Sequence, residues 1–329
     1  MKFPLSTSEK GQKATELVRR LQQKFVDELS NASDPKTVFE VVDWLRDEGI
    51  HGGGERYVAA EGGIFDRASV NVSHVHYDDL PEKKLASASA LSAIVHPDNP
   101  NAPSIHIHFS WTELRDGTGY WRMMADLNPS LPNPDHKKMF EDTLKQYAGE
   151  HFESGKEQGD AYFYVEALDV HRGVSHFYLE GFDSGDFKKD FQFAEKLASE
   201  VIQAYGQILK LSLDTSPNFN QEDKQKQIDY HTLYLYQVLT LDKGTTAGIM
   251  VHNQNDLGVF GSLPSTINSG LLKSWIEKTP PPLNDLVARL LKVFPEEGNV
   301  NVGNQEKIAF AKIVRAFYGN HSELLTFRN

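Results

Sequence analysis

The chain of 329 residues contains no cysteine. That absence excludes disulfides, thiolate nucleophiles and every cysteine-ligated zinc or iron–sulfur centre, and it suits a reducing compartment. Also missing is any apolar run approaching the roughly 20 residues of a membrane span. The opening stretch MKFPLSTSEKGQ lacks the apolar core of a secretory signal. A basic surplus is absent too: 34 Lys and Arg against 46 Asp and Glu leave a formal charge of −12, so no broad footprint for nucleic acid or anionic lipid is present. Glycine and proline occur in ordinary proportions, without repeats or low-complexity tracts. What is there is 39% hydrophobic residues, enough for one large core or two ordinary ones. The expectation is a soluble, cytoplasmic protein with a small-molecule partner.

Ala14, Leu17, Val18, Leu21, Phe25, Val26 and Leu29 recur at helical spacing. Asp34-Pro35 reads as the N-cap and first residue of a second helix carrying Val38, Val41, Val42 and Leu45 and stopping at Gly49. After Gly52-Gly53-Gly54 the period shortens, and strands are expected at 56–60, 63–76, 86–95, 104–111 and 119–127. In Ser104–Trp111 the apolar Ile105, Ile107, Phe109 and Trp111 share one face, and Ser104, His106, His108 and Ser110 the other. That pattern suits a sheet packed on one side and lining a cavity on the other.

Helices are expected at 134–149, 155–170 and 186–213, with a strand at 174–180. Segments 231–241 and 246–251 read as two strands about a turn at Asp242–Thr245. Helices near 265–278, 283–294 and 303–319 follow. The class expected is α+β, a large antiparallel sheet sandwiched between helical layers.

Several segments together resemble the oxygen-dependent coproporphyrinogen III oxidase family. They are GGGERYVAAEGGIFDRASVNVSHV (52–75), IVHPDNPNAPSIHIHF (94–109), YWRMMADLNP (120–129), MFEDTLK (139–145), HRGVSHFYLEGFDS (171–184), LDKGTTAGI (241–249) and SLP (262–264). Their order and near-gapless spacing carry the resemblance over roughly 45–275. It implies a domain over 1–279, with 280–329 as a helical extension packed on it, and a homodimer. The implied activity is haem biosynthesis at the porphyrinogen stage: O₂ oxidatively decarboxylates two propionates of coproporphyrinogen III to vinyls. No metal or organic cofactor is implied, O₂ being the co-substrate. The electron-rich porphyrinogen itself reduces O₂, so the protein must hold the ring, engage pyrrole N–H groups and neutralise the remaining carboxylates.

On this resemblance Asp126 and His106 are the catalytic pair, Asp126 facing the pyrrole N–H groups. Ser92, His108, Arg122, Arg172 and Asn99 are the substrate-binding residues. The departures fall on the family's cations: Ser110 stands at its strand arginine, Met139 at a histidine, and Tyr230–Val238 replaces an arginine-rich segment. Arg56, Arg67, Arg122, Arg172 and Lys243 remain to meet carboxylates, with Arg122 on the strand beside the lost arginine. Two alternatives stay open. One is a repurposed oxidase of a smaller substrate, with a metal held by the pairs His74/His76 and His106/His108, each pair sharing one side of its strand. The other is a tetrapyrrole- or bilin-binding protein or a bilin reductase.

Overall fold

The structure, a computed structural model, describes residues 3–59, 63–251 and 255–325, the side chains of Lys243, Ala247 and Val251 excepted. In chain order its helices and strands are α1 (Glu9–Ser30), β1 (Phe39–Leu45), β2 (Gly52–Ala59), β3 (Phe65–His76), β4 (Leu85–Pro97), β5 (Ser104–Leu114), β6 (Gly119–Asn128), α2 (Pro134–Ala148), α3 (Phe152–Phe163), β7 (Tyr164–Val165), β8 (Val170–His171), β9 (Ser175–Phe182) and α4 (Phe187–Thr215). Then come α5 (Gln221–Thr240), α6 (Lys243–Val251), α7 (Asp256–Val259), β10 (Thr266–Asn268), α8 (Ser269–Ser274), α9 (Leu283–Leu291), β11 (Asn299–Asn301) and α10 (Asn304–Asn320). The class is α+β, as expected.

Two compact units divide the chain: residues 1–163 with 173–219, and 164–172 with 220–329. Residues 220–279 thus fall in the same unit as 280–329. The helices beyond 280 form one body with those that precede them, because α9 packs on α5 and α8, and α10 on α6.

In the first unit seven antiparallel strands form one sheet in the order β1-β2-β3-β4-β5-β6-β9. Helix α1, capped where the Ser8 side chain accepts from the Gly11 N–H, packs on β3, β4 and β5. Helix α4, capped by Asp186, packs on β5, β6, α1 and α2. The alternation expected of 104–111 is realised: Ile105, Ile107, Phe109 and Trp111 are buried in the core with Leu91, Val95, Trp121 and Met123. The Phe25 ring of α1 meets Tyr205 of α4 edge-on at 6.0 Å, and the Tyr205 hydroxyl donates to the Pro103 carbonyl at 3.0 Å. Each such aromatic, fully removed from water, contributes on the order of 1.5–3 kcal/mol.

The helix expected over 35–49 is a strand. Residues Phe39–Leu45 pair with Gly53–Ala59 of β2 as an edge strand, and Val41 and Leu45 stay exposed. Their spacing imitated a helical stripe, but branched and aromatic side chains favour the extended backbone once a partner strand is available. The helix expected to reach 170 stops at Phe163, and Asp169 takes a left-handed conformation at φ 54°.

In the second unit the two strands expected over 231–251 are helices. Asn220 and Asp223 form a reciprocal capping box at the start of α5, and the Thr232 and Thr240 hydroxyls bond back to carbonyls four residues earlier. Every residue from Tyr234 to Thr240 is buried. A helix enclosed on all sides shows no 3.6-residue stripe, and its aromatic and branched content then reads as strand. Tyr234 and Tyr236 are therefore not a sheet face. The Asp242 side chain accepts from the Thr245 N–H at 2.6 Å and starts α6 rather than a hairpin. Arg315 of α10 grips Asp256 with two guanidinium nitrogens and the Ile249 carbonyl with its Nε at 2.9 Å. Residues 266–268, expected to be helical, instead pair with β11. No helix among the described residues is long and apolar enough to cross a membrane.

Candidate active site

Strand parity sends Ser92, His106, His108, Arg122 and Asp126 to one face of the first unit's sheet, and register aligns them in rows. His106 of β5 lies opposite Asp126 of β6, which lies opposite His176 of β9. His106 Nδ1 is 3.5 Å from Asp126 Oδ1. Asn128, two residues on and so on the same face, donates from Nδ2 to Asp126 Oδ2 at 2.6 Å. His176 Nδ1 is 2.8 Å from Asp160 Oδ1 of α3. Burial alone would raise the Asp160 pKa, but hydrogen bonds from Lys156 and His176 outweigh it and hold the carboxyl below its ordinary value.

Helix α3 brings an apolar cover to this row. Gly159 lets it run against the β9 backbone, since a Cβ there would come within 2.8 Å of His176 Cβ. At its end the Phe163 ring lies 5.2 Å from His176 and 6.5 Å, edge-on, from His106. Phe163 packs with Met124, Tyr178 and Tyr162. Water is thereby kept from the acid, and electrostatic interactions inside strengthen.

Asp126 is 0% exposed, whereas His106 retains 7%. The sequence reading turned the carboxylate toward a guest; in the structure it is enclosed between His106 and Asn128. It sits behind the imidazole, held by Asn128.

The next row across the sheet runs Ser92, His108, Met124, Tyr178. His108 Nε2 lies 3.0 Å from the Ser110 hydroxyl. Burial first, and the positive charge of Arg122 second, push the His108 pKa down to about 3, so the ring is neutral at ordinary pH.

The remaining expected residues separate. Arg122 is on the polar face but engaged by Glu180 of β9, its Nε donating at 3.1 Å. Glu180 thus offsets the charge that Arg122 would offer a carboxylate. Asn99 is in the loop after β4: its side chain donates to the Ser216 carbonyl at 2.8 Å and accepts from the Asn101 N–H at 2.9 Å. Those bonds fasten the loop to the end of α4. Arg172 belongs to the second unit, fully buried, with its guanidinium 5.2 Å from the Tyr234 ring.

The two histidine pairs do not meet. His74 lies opposite Ser89, itself opposite Trp111, on the helix-covered core face, whereas His106 and His108 lie on the other face. His74 Nε2 accepts from the Ser6 N–H at 3.0 Å, and Nδ1 lies 2.9 Å from both the Thr15 and Ser89 hydroxyls. Both ring nitrogens are occupied, so the four histidines form no common ligand set. Among the described residues no group of three or more His, Asp or Glu is placed to hold a metal ion.

The glycine run serves packing. At Gly54 an added Cβ would come within 2.3 Å of the Val72 carbonyl oxygen and 2.4 Å of Trp44 Nε1. The indole rests in that space and donates to Asn71 Oδ1 at 3.2 Å. Gly54→Ala is expected to lower stability by about 1–3 kcal/mol through overpacking, read by urea denaturation, with a red-shifted tryptophan emission as Trp44 is expelled.

Sequence reasoning missed His176, Asn128, Asp160 and Phe163. The alternation of SHFYLE could have flagged His176 as polar-facing. Nothing local marks Asp160 or Phe163, whose positions depend on how α3 docks.

Residues 13–279 match the sequence model of the family described as coproporphyrinogen III oxidase. The chain is similar to oxygen-dependent coproporphyrinogen-III oxidase, mitochondrial, of Rattus norvegicus, Mus musculus and Homo sapiens. With each it is 28% identical over 280 residues, covering 78% of this chain and 61%, 61% and 60% of the relative. The chain thus spans about three fifths of the length of those relatives.

Proposed function

The chain belongs to the coproporphyrinogen III oxidase family, and from that premise we propose that its polar sheet face binds a porphyrinogen, or a related carboxylated pyrrole, and decarboxylates it oxidatively with O₂. The observation that carries this is the His106–Asp126 pair lined up with His176 beneath Phe163. For each propionate the carboxyl carbon leaves as CO₂ and the carbon next to the ring loses a hydrogen. Two electrons and two protons go to O₂, giving hydrogen peroxide and a vinyl. With Nδ1 turned to Asp126, His106 Nε2 is the ring nitrogen that exchanges a proton with the substrate. Asp126 orients the ring and stabilises its protonated form. The substrate supplies the electrons, so no metal or organic cofactor enters the reading. Assembly as a homodimer belongs to the same proposal.

The test is turnover of coproporphyrinogen III by protein stripped with a chelator. The expected result is equal yields of CO₂, hydrogen peroxide and vinyl, undiminished by the stripping. Absence of O₂ uptake with every acidic pyrrole offered overturns the reading. So does activity that vanishes on stripping and returns with a metal.

A second reading, oxidation of a less anionic substrate, is favoured by one observation. Serine occupies position 110, and the neighbouring Arg122 is held by Glu180. Faster turnover of a dicarboxylate than of the tetracarboxylate would select it.

A further inference from the structure

We propose that Arg56, Asn71 and Ser92 form an anchor for a substrate carboxylate remote from the reacting end at His106. The proposal rests on the porphyrinogen reading above and deepens it.

Register sets the three side by side. Arg56 of β2 is opposite Asn71 of β3, which is opposite Ser92 of β4, which is opposite His108 of β5. All belong to the polar face of the sheet. Arg56 is only 8% exposed, and its Nε is buried without a hydrogen-bond partner among the described residues. Burial lowers its pKa and no carboxylate among the described residues opposes that shift, yet an arginine stays protonated at any ordinary pH. A buried cation with no counter-charge is a cost that an incoming anion removes.

Asn71 is oriented to assist. Its Oδ1 accepts from Trp44 Nε1 at 3.2 Å, and an indole nitrogen can only donate, so the amide cannot be flipped. Its NH₂ group then remains as a donor. The Ser92 hydroxyl supplies another. A guanidinium, an amide NH₂ and a hydroxyl in one row offer donors and a positive charge, with no competing carboxylate in that row among the described residues, which is the chemistry that recognises carboxylate.

Arg122 shows the contrast. It is the arginine nearest the reacting pair along the sheet, and Glu180 already neutralises it. Arg56 is four strands from Asp126, about 19 Å between backbones at ordinary strand spacing. The ligand it selects is therefore broad and flat, with acidic arms at its far edge, which a compact acid cannot be.

The experiment is fluorescence titration of the intact protein with coproporphyrin, the oxidised tetracarboxylate, and with its neutral tetra-amide. Wild type is expected to bind the acid more tightly. Arg56→Gln is expected to weaken binding of the acid by about 10- to 100-fold, the value of a charged hydrogen bond, and to leave the tetra-amide unchanged. Arg56→Lys keeps the charge but loses the fork and should fall between, which guards against a glutamine variant that folds poorly. Equal affinity of wild type and Arg56→Gln for the acid overturns the anchor while the porphyrinogen reading stands. So does an equal loss on both probes. Wild-type protein that binds neither probe overturns both.

Discussion

His106→Ala and Asp126→Asn each lower kcat/KM by about 10²- to 10⁴-fold, the span ordinarily lost with a positioned proton-transfer group. Their effects do not add. The imidazole does the transfer, and the carboxylate behind it holds the tautomer and stabilises the protonated ring, so removing either disables the same unit. The double variant should be no slower than the slower single one within a few-fold. Asp126→Asn leaves the shape of the site intact but offers an amide in place of one carboxylate oxygen, either toward His106 or toward the Asn128 amide. A melting curve close to that of wild type separates lost chemistry from lost fold. Asp126→Asn at wild-type kcat/KM would remove the acid from the mechanism and leave His106 alone.

Acid is expected to weaken the fold by a route on the opposite side of the sheet. The His74 ring, closed in by Ser6, Thr15 and Ser89, has its pKa lowered to about 4, burial being the main cause and His76 the second, with Asp78 pulling the other way. An unfolded histidine protonates near 6.5. Between those values the unfolded chain binds more protons than the folded one, so this contribution is intact above about pH 6.5 and drains away as pH falls toward 4. At the end of that interval it amounts to about 3 kcal/mol. Urea midpoints at pH 7 and pH 4.5 should differ more for wild type than for His74→Gln. His108 titrates in both proteins and cancels in the comparison. Equal pH dependence in the two would mean that His74 is not the proton acceptor.

Alternation made much of the first unit legible. Ile105, Ile107 and Phe109 against His106 and His108 declare a two-sided strand from local order alone, and β3 to β6 follow the same rule. Helix α1 was equally plain, since its buried stripe faces one sheet. Segments 39–45 and 221–251 were not. The first takes its form from the β2 backbone it pairs with, and the second from burial on every side. Neither influence leaves a periodic trace.

The sequence by itself determined which residues of each strand share a side, and through ordered motifs it determined the family. It placed Ser92, His106, His108, Arg122 and Asp126 on strands in the right phase to meet. Tertiary structure alone decided that His74 and His106 look in opposite directions, because the phase between strands is set by register and not by alternation within one strand. It also decided that Arg122 is held by Glu180 while, among the described residues, Arg56 is not held by any acid. A charge carries no mark of its partner along the chain: pairing is a matter of distances of a few ångströms between segments that are remote in sequence, and folding sets those distances.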